Sequence, residues 1–259
     1  MAEFKLTHEN YFSKHANLLY FSVSQFKSFS LCQNSALAEV YGKFKREKST
    51  ALIVGGYVDA YFDGTMSRFI LENPEIFKKD GTLKAEYIQA DAIIERMKRD
   101  KALMRYMSGE NQVIMTGQIK GVPIKIMMDS YHPGKAIVDR KIMANFDPIY
   151  KSDYGYQAWY QAFGYDLQGA VYQEIVRQNT GKRLPFILAG ATKEKTPDID
   201  LIRIEQDELD FCLERFSEKV ELFDAIKKKV IKPERCEKCA WCRETKRLKA
   251  PRSSIEIAF

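Results

Sequence analysis

The segment "IKIMMDSYHPGKAIVDRKI", residues 124–142, constrains this chain more than any other. It reads as two apolar, β-prone runs on either side of Pro133-Gly134, a pair suited to a tight turn. Two antiparallel strands centred on Gly134 set Asp129 and Asp139 opposite one another, because each lies five residues from the centre. Opposed residues share a face, with Cβ atoms about 5 Å apart. Lys141 lies two residues beyond Asp139 and Lys125 four before Asp129, so both ammonium groups join that face. Ile126, Met128, Ile137 and Val138 imply burial, where bare charge is costly. A solvated strand face explains any one of these charges but fits the set poorly. Two apposed carboxylates repel unless a cation lies between them or one is protonated. A hard divalent cation such as Mg2+ or Mn2+, held by oxygen ligands, removes the conflict. Such an ion suits phosphodiester hydrolysis, since it polarises the phosphate and lowers the pKa of an attacking water. A nearby lysine then positions that water or stabilises the developing charge.

The rest of the chain reads as a scaffold for this hairpin. "FSVSQFKSFSLCQNSALAEVYGKF" spaces Phe26, Phe29, Leu37, Val40 and Tyr41 as one helix, with Ser22 or Ser24 as its cap. "TALIVGGYVDAYFDG" is a second helix and residues 83–107 a long amphipathic one. Short β-prone runs follow at 112–118, 122–131 and 135–142, punctuated by Gly121, Pro123 and Pro133-Gly134. "YGYQAWYQAFGYDLQGAVYQEIVRQNTG" is read as helical, then "RLPFILAGATKE" and "DIDLIRI" as strands and residues 207–230 as a helix. Helices, a three-strand meander, a helix and two more strands make an α/β or α+β domain built on a mixed central sheet. The 259 residues contain no repeat, low-complexity tract or linker and fit a single domain, 1–259. The formal net charge of +6 suits a polyanionic partner without specifying one. No apolar run is long enough to span a membrane, and charges interrupt the first twenty residues as no signal peptide allows. A cytoplasmic location is expected, where cysteines are reduced or metal-bound.

"MMD" at 127–129 followed by "IVDRK" at 137–141 resembles the D…(D/E)-x-K signature of the PD-(D/E)XK nucleases. Three further stretches carry the resemblance. In "GGYVDAYF", Asp59 stands four residues after Gly55, where many RecB-like members carry a metal-binding histidine. An aspartate suits Mg2+ or Mn2+ at least as well. "GYDLQGAVYQEI" resembles the Q-x-x-x-Y helix that follows the catalytic hairpin, with Gln168 and Tyr172 one turn apart on one face. Cys236, Cys239 and Cys242 form C-x2-C-x2-C in a basic tail, residues 233–249, and Cys32 lies far upstream. Several RecB-like nucleases hold a 4Fe–4S cluster with one N-terminal and three C-terminal cysteines. Over nearly its whole length the chain is similar to a phage and prophage PDDEXK-like exonuclease group related to exodeoxyribonuclease VIII (RecE).

The resemblance implies a restriction-endonuclease-like core with a mixed sheet flanked by helices. It implies Asp129, Asp139 and Asp59 as metal ligands, joined by the carbonyl of Arg140, and Lys141 acting on the water or the phosphate. Gln168 and Tyr172, with Lys125 and Gln118, would position DNA. Cys32 and the tail would close the domain around a 4Fe–4S cluster or Zn2+, since four thiolates select either. Cys212, in "ELDFCLERF", reads as a buried, inert thiol. The implied activity is exonucleolytic resection of linear duplex DNA for phage recombination, with the exposed strand passed to a single-strand annealing protein. Ring-shaped homo-oligomers occur among the relatives. Two alternatives stand beside this reading. One is a catalytically inactive nuclease fold acting as a DNA-binding or recombination adaptor, and the other a zinc-dependent DNA-binding protein. The intact D…D-x-K set favours the enzyme, because a binding module has no use for two apposed carboxylates in an apolar hairpin.

Overall fold

The structure, a computed structural model, describes residues 4–248 and 250–251. Lys249, the last residue of the cysteine-rich tail, and both chain ends of the expected 1–259 domain lie outside the described residues. Helices α1 (Lys14–Leu19), α2 (Val23–Leu31), α3 (Gln33–Val40), α4 (Thr50–Phe62), α5 (Met66–Glu72), α6 (Ala85–Arg99) and α7 (Lys101–Met107) come first. A meander of β1 (Glu110–Ile119), β2 (Val122–His132) and β3 (Ala136–Met143) follows. Then come a small hairpin of β4 (Ile149–Lys151) and β5 (Gly155–Gln157), a short α8 (Trp159–Ala162) and α9 (Tyr165–Thr180). The chain closes with β6 (Phe186–Thr192), β7 (Ile199–Arg203), α10 (Gln206–Lys227) and α11 (Ala240–Glu244). No helix among the described residues is long and apolar enough to cross a membrane.

The main sheet has the order β1-β2-β3-β6-β7. Only the β3–β6 pair is parallel, and its connection runs through α9, as a parallel crossover requires. Each face of the sheet is covered. Phe21, Phe26, Phe29, Phe216 and Phe223, from the α2 and α10 region, pack one core against Ile124, Ile126 and Phe186. Val58, Ile93, Ile94 and Met97 from α4 and α6 pack a second against Val138 and Ala189. The expected mixed sheet flanked by helices is therefore present.

Three local expectations change. The first predicted helix is two, because the backbone at Cys32 is extended (φ −164°, ψ 107°) and turns its thiol toward the tail. The helix over 83–107 breaks at Asp100, whose carboxylate accepts the Leu103 N–H (2.8 Å) and caps a new helix. The stretch beginning "YGYQ" opens as the strand β5, and Gly164, in the left-handed region (φ 64°), separates α8 from α9.

One departure from regular pairing shapes the molecule. β2 pairs with β1 from Tyr131 down to Val122, but with β3 at only three positions: His132 with Ala136, Tyr131 with Ile137, and Ser130 with Val138. Beyond Ser130 the two strands fork. β3 stays on β6, while the freed edge of β2 is taken by Phe21. Phe21 N–H donates to the Pro123 carbonyl (2.7 Å), and Lys125 N–H donates to the Phe21 carbonyl (2.8 Å).

α9 lies directly on β6 at Gly169, where a Cβ would come 2.4 Å from a ring carbon of the fully buried Phe186. Gly169→Ala forces that ring or the helix to move. The expected cost is about 1–3 kcal/mol, the usual scale of overpacking, read as a lower urea midpoint; an unchanged midpoint would show that α9 does not sit this close.

Candidate active site

The fork opens a cleft of about 470 Å3. Its floor carries Asp129 and Asp139, the first residues past the last β2–β3 pair. Lys141, Arg140 and Asp59 add to it, α9 contributes Gln168 and Tyr172, and Lys27 and the first turn of α2 form the opposite wall.

Each carboxylate is held differently. Asp129 Oδ2 accepts the backbone N–H of Arg140 (2.9 Å), so a side chain bridges the strands where their ladder has ended. Asp139 is buried at 2 % exposure. Its Oδ1 accepts from the Gln168 amide (2.7 Å). Its Oδ2 pairs with the Lys141 ammonium but has no partner in hydrogen-bond geometry. Burial raises the Asp139 carboxyl to about 6, against the pull of Lys141 and with the push of Asp129. Burial works to lower Lys141, but Asp139 and Asp129 outweigh it and hold the ammonium protonated above its ordinary range. The Lys141 ammonium also lies 4.7 Å from the centre of the Tyr165 ring.

Asp59, on α4, is drawn toward Arg140, whose buried guanidinium donates from Nε to Asp59 Oδ1 (3.1 Å) and from Nη2 to Asp63 Oδ1 (2.5 Å). Asp59 keeps 41 % of its side chain open at the cleft. The protein packed around it and the charge of Asp129 still raise its carboxyl to about 7, against the opposing effect of Arg140. Asp59, Asp129 and Asp139 thus share one cleft, but they are not gathered within 4.8 Å of one another as the four cysteines are. Arg140 enters through its side chain and its N–H.

Other expected residues take narrower parts. The Tyr172 hydroxyl donates to the Met127 carbonyl (3.1 Å), fixing β2 against α9. Gln168 orients Asp139. Lys125 faces the cleft as its register requires, but its ammonium is spent on the Tyr11 carbonyl and on Asn17 Oδ1 (2.8 Å). It therefore braces the N-terminal segment, and burial lowers it to about 8. Gln118 is away from the site. It pairs with Pro123, six residues along β2 from Asp129, a displacement of roughly 20 Å at strand rise. The β1 residue that meets Asp129 is Gln112, whose amide donates to Asp63 Oδ2 (2.7 Å) and reaches Asp129 Oδ1 at 3.5 Å.

These relations meet known proteins at two points. Residues 22–245 match the model of a family described as a PDDEXK-like domain of unknown function (DUF3799). The chain belongs to that PDDEXK-like family. It is also similar to a crystal structure of a candidate exonuclease from Eubacterium rectale, at 46% identity and a TM-score of 0.96 over 99% of each chain. No curated protein matches.

PDDEXK-like nucleases use divalent metals, and the cleft offers oxygen for one. Asp139 Oδ2 is a buried acceptor paired with the Lys141 ammonium alone, and two further carboxylates line the same space. A hard cation that keeps part of its water shell needs no closed cage of three carboxylates. The other implied group fits less well. Cys32, Cys236, Cys239 and Cys242 do converge, but their sulfurs all lie within 4.8 Å of one another. In a 4Fe–4S cubane each thiolate binds a different iron at a corner of a cube, which drives the sulfurs apart to about 6 Å.

Three participants escape motif reading. Asp63 lies four residues after Asp59, hence on the same helix face, and that spacing is visible in the sequence. Gln112 follows from centring the β1–β2 turn on Lys120-Gly121. Lys27, on α2, donates to the Phe163 carbonyl (2.9 Å) and faces Tyr165. Burial and Lys141 lower it to about 8, although Asp139 and Asp166 oppose them. Nothing local in the sequence marks it.

The raised carboxyls carry a stability consequence. Asp139 and Asp59 release their protons at about 6 and about 7 when folded, against an ordinary 3.8. The folded state binds more protons in between, so their contribution to stability is complete below about pH 3.8 and is lost as pH rises to about 7. Without added divalent cation, the wild-type melting temperature should fall across this window more steeply than that of Asp139→Asn. Parallel profiles in scanning calorimetry would contradict the assigned environment of Asp139.

Proposed function

We propose that the protein is a Mg2+- or Mn2+-dependent deoxyribonuclease that resects linear duplex DNA from its ends. The observation that carries this reading is the fork. It opens between two carboxylates and brings buried Asp139, the Lys141 ammonium paired with its Oδ2, and Asp129 into one cleft. The likeness to the candidate exonuclease supports the same reading.

Asp139 and Asp129 would hold the ion, with Asp59 at the cleft mouth as the third carboxylate. The carbonyl of Arg140 is the remaining ligand of the reading. When bound, such an ion polarises the phosphate and lowers the pKa of the attacking water. Lys141, kept protonated by its carboxylate neighbours, is a poor base and a good partner for charge developing on phosphate oxygens. Gln168 fixes the Asp139 carboxylate that would hold the ion, and Tyr172 holds the β2 backbone in place. Arg140 tethers Asp59 and Asp63 while fixing Asp129 through its N–H. Lys27 and the first turn of α2 give the opposite wall positive character for a phosphodiester backbone. Double-stranded DNA is then the substrate. The sequence resemblance adds a phage or prophage origin, a bacterial cytoplasm and a single-strand annealing protein that receives the product. The adaptor reading predicts DNA binding without hydrolysis.

Asp139→Ala and Lys141→Ala should each lower Mg2+-dependent digestion of end-labelled linear duplex by about a hundredfold or more while leaving the fold intact, the scale on which electrostatic groups act. Full activity in purified Asp139→Ala would remove this site from the reaction. Asp59→Asn should raise the Mn2+ concentration giving half-maximal activity, and an unshifted titration would confine Asp59 to its pairing with Arg140. Binding to duplex in Ca2+, without cleavage, should weaken steeply with added salt as counterions are released; salt-insensitive binding points instead to a protein partner.

A further inference from the structure

A group of candidate metal ligands lies outside the cleft. Cys32 sits in the extended break between α2 and α3. Cys236, Cys239 and Cys242 come from the tail and α11, about two hundred residues later in the chain. Cys32 Sγ lies 3.6 Å from Cys242 Sγ and 3.8 Å from Cys239 Sγ, and all four sulfurs lie within 4.8 Å of one another. A tetrahedral ion with metal–sulfur bonds of about 2.3 Å requires sulfurs about 3.8 Å apart. A disulfide requires about 2 Å, and a cubane the wider spread given above. The observed separations suit one ion.

The backbone is arranged for the same purpose. Cys239 N–H donates to Cys236 Sγ (3.3 Å) and Cys242 N–H to Cys239 Sγ (3.4 Å), a ladder of amides that stabilises charge on the sulfurs. The tail is docked independently beside the site. Asn34 N–H donates to the Glu234 carbonyl (3.0 Å), and Glu234 N–H donates to Gln33 Oε1 (2.8 Å). Two of the four cysteines, Cys32 and Cys242, are buried, and among the described residues no histidine or carboxylate joins the group.

We propose that Cys32, Cys236, Cys239 and Cys242 hold one structural zinc ion, not an iron–sulfur cluster, and that this ion fixes the C-terminal end of the helix forming one wall of the cleft. Zinc is the choice among single ions. Four thiolates with no open position are its usual structural set, and Fe2+ binds more weakly to the same ligands. The mechanical link is α2. Its first turn lines the cleft, and its last residue, Leu31, precedes Cys32. At about 1.5 Å per residue, α2 carries that anchorage roughly 13 Å to the cleft. An ion there also restrains a loop of some two hundred residues.

The proposal does not depend on the nuclease reading and is tested without an activity assay. Full-length protein, purified without oxygen or chelator, should be colourless and contain about one zinc and no iron per chain by elemental analysis. Protein produced with Co2+ in place of zinc should show the visible bands of tetrahedral cobalt thiolate. Cys236→Ser and Cys239→Ser should lose the metal and melt roughly 10 °C or more below the wild type, whereas Cys212→Ser should keep both metal and melting temperature. Brown protein with several irons and sulfide per chain overturns the proposal in favour of a cluster. One iron per chain, or no metal in the wild type, overturns it equally, whatever the variants do.

Discussion

Everything at the candidate site follows from where β2 and β3 stop pairing. Had the ladder continued past Ser130 and Val138, Asp129 and Asp139 would face each other across an ordinary sheet, with no room for substrate. The strands separate one residue before the carboxylates, and the Asp129 side chain takes over the ladder by accepting the Arg140 N–H. The fork is stable because both freed edges are satisfied. On the edges that face the fork, β3 gives the Arg140 N–H to Asp129, while β2 takes Phe21 at Pro123 and Lys125 and the Tyr172 hydroxyl at the Met127 carbonyl. An unfilled fork would leave backbone groups unpaired in a buried place, which costs more than the lost pairs themselves.

The charges in the cleft form two linked groups. Asp139 and Lys141 lie toward α9, held by Gln168. Asp59, Asp63 and the Arg140 side chain lie toward α4. Alternation along β3 produces this division, since Arg140 points to the opposite face from its two neighbours. Its guanidinium is almost fully buried and remains charged because two carboxylates and Asp129 surround it. A buried cation so placed keeps Asp59 and Asp63 together, while Asp59 still opens on the cleft it shares with Asp129 and Asp139.

Much of this was legible in the chain because turns fix register. Pro133-Gly134 sets Asp129 against Asp139, and the structure keeps the same centre at the three positions that pair. The same centring at Lys120-Gly121 leads to Gln112, whereas Gln118 lies six residues farther along β1. Register puts Lys125 on the cleft face, but the use of its ammonium depends on Tyr11 and Asn17, which come from a distant segment. The breaks at Cys32 and Asp100 interrupt apolar patterns that helical spacing alone would continue. Lys27 lacked any local signal because its role arises only when α2 folds over the sheet.

The docking of the tail on α3 also orders events in time. Cys32 leaves the ribosome 210 residues before Cys242, an interval of roughly 10–40 s at common rates of synthesis. The sheet and its acidic residues are all made within that interval, while the segment that secures the wall opposite them is still to come. A nascent chain therefore carries the acidic groups of the cleft well before it carries a fastened cleft. A cut ahead of Cys236 would separate from the sheet the segment that brings three of the four clustered cysteines to Cys32.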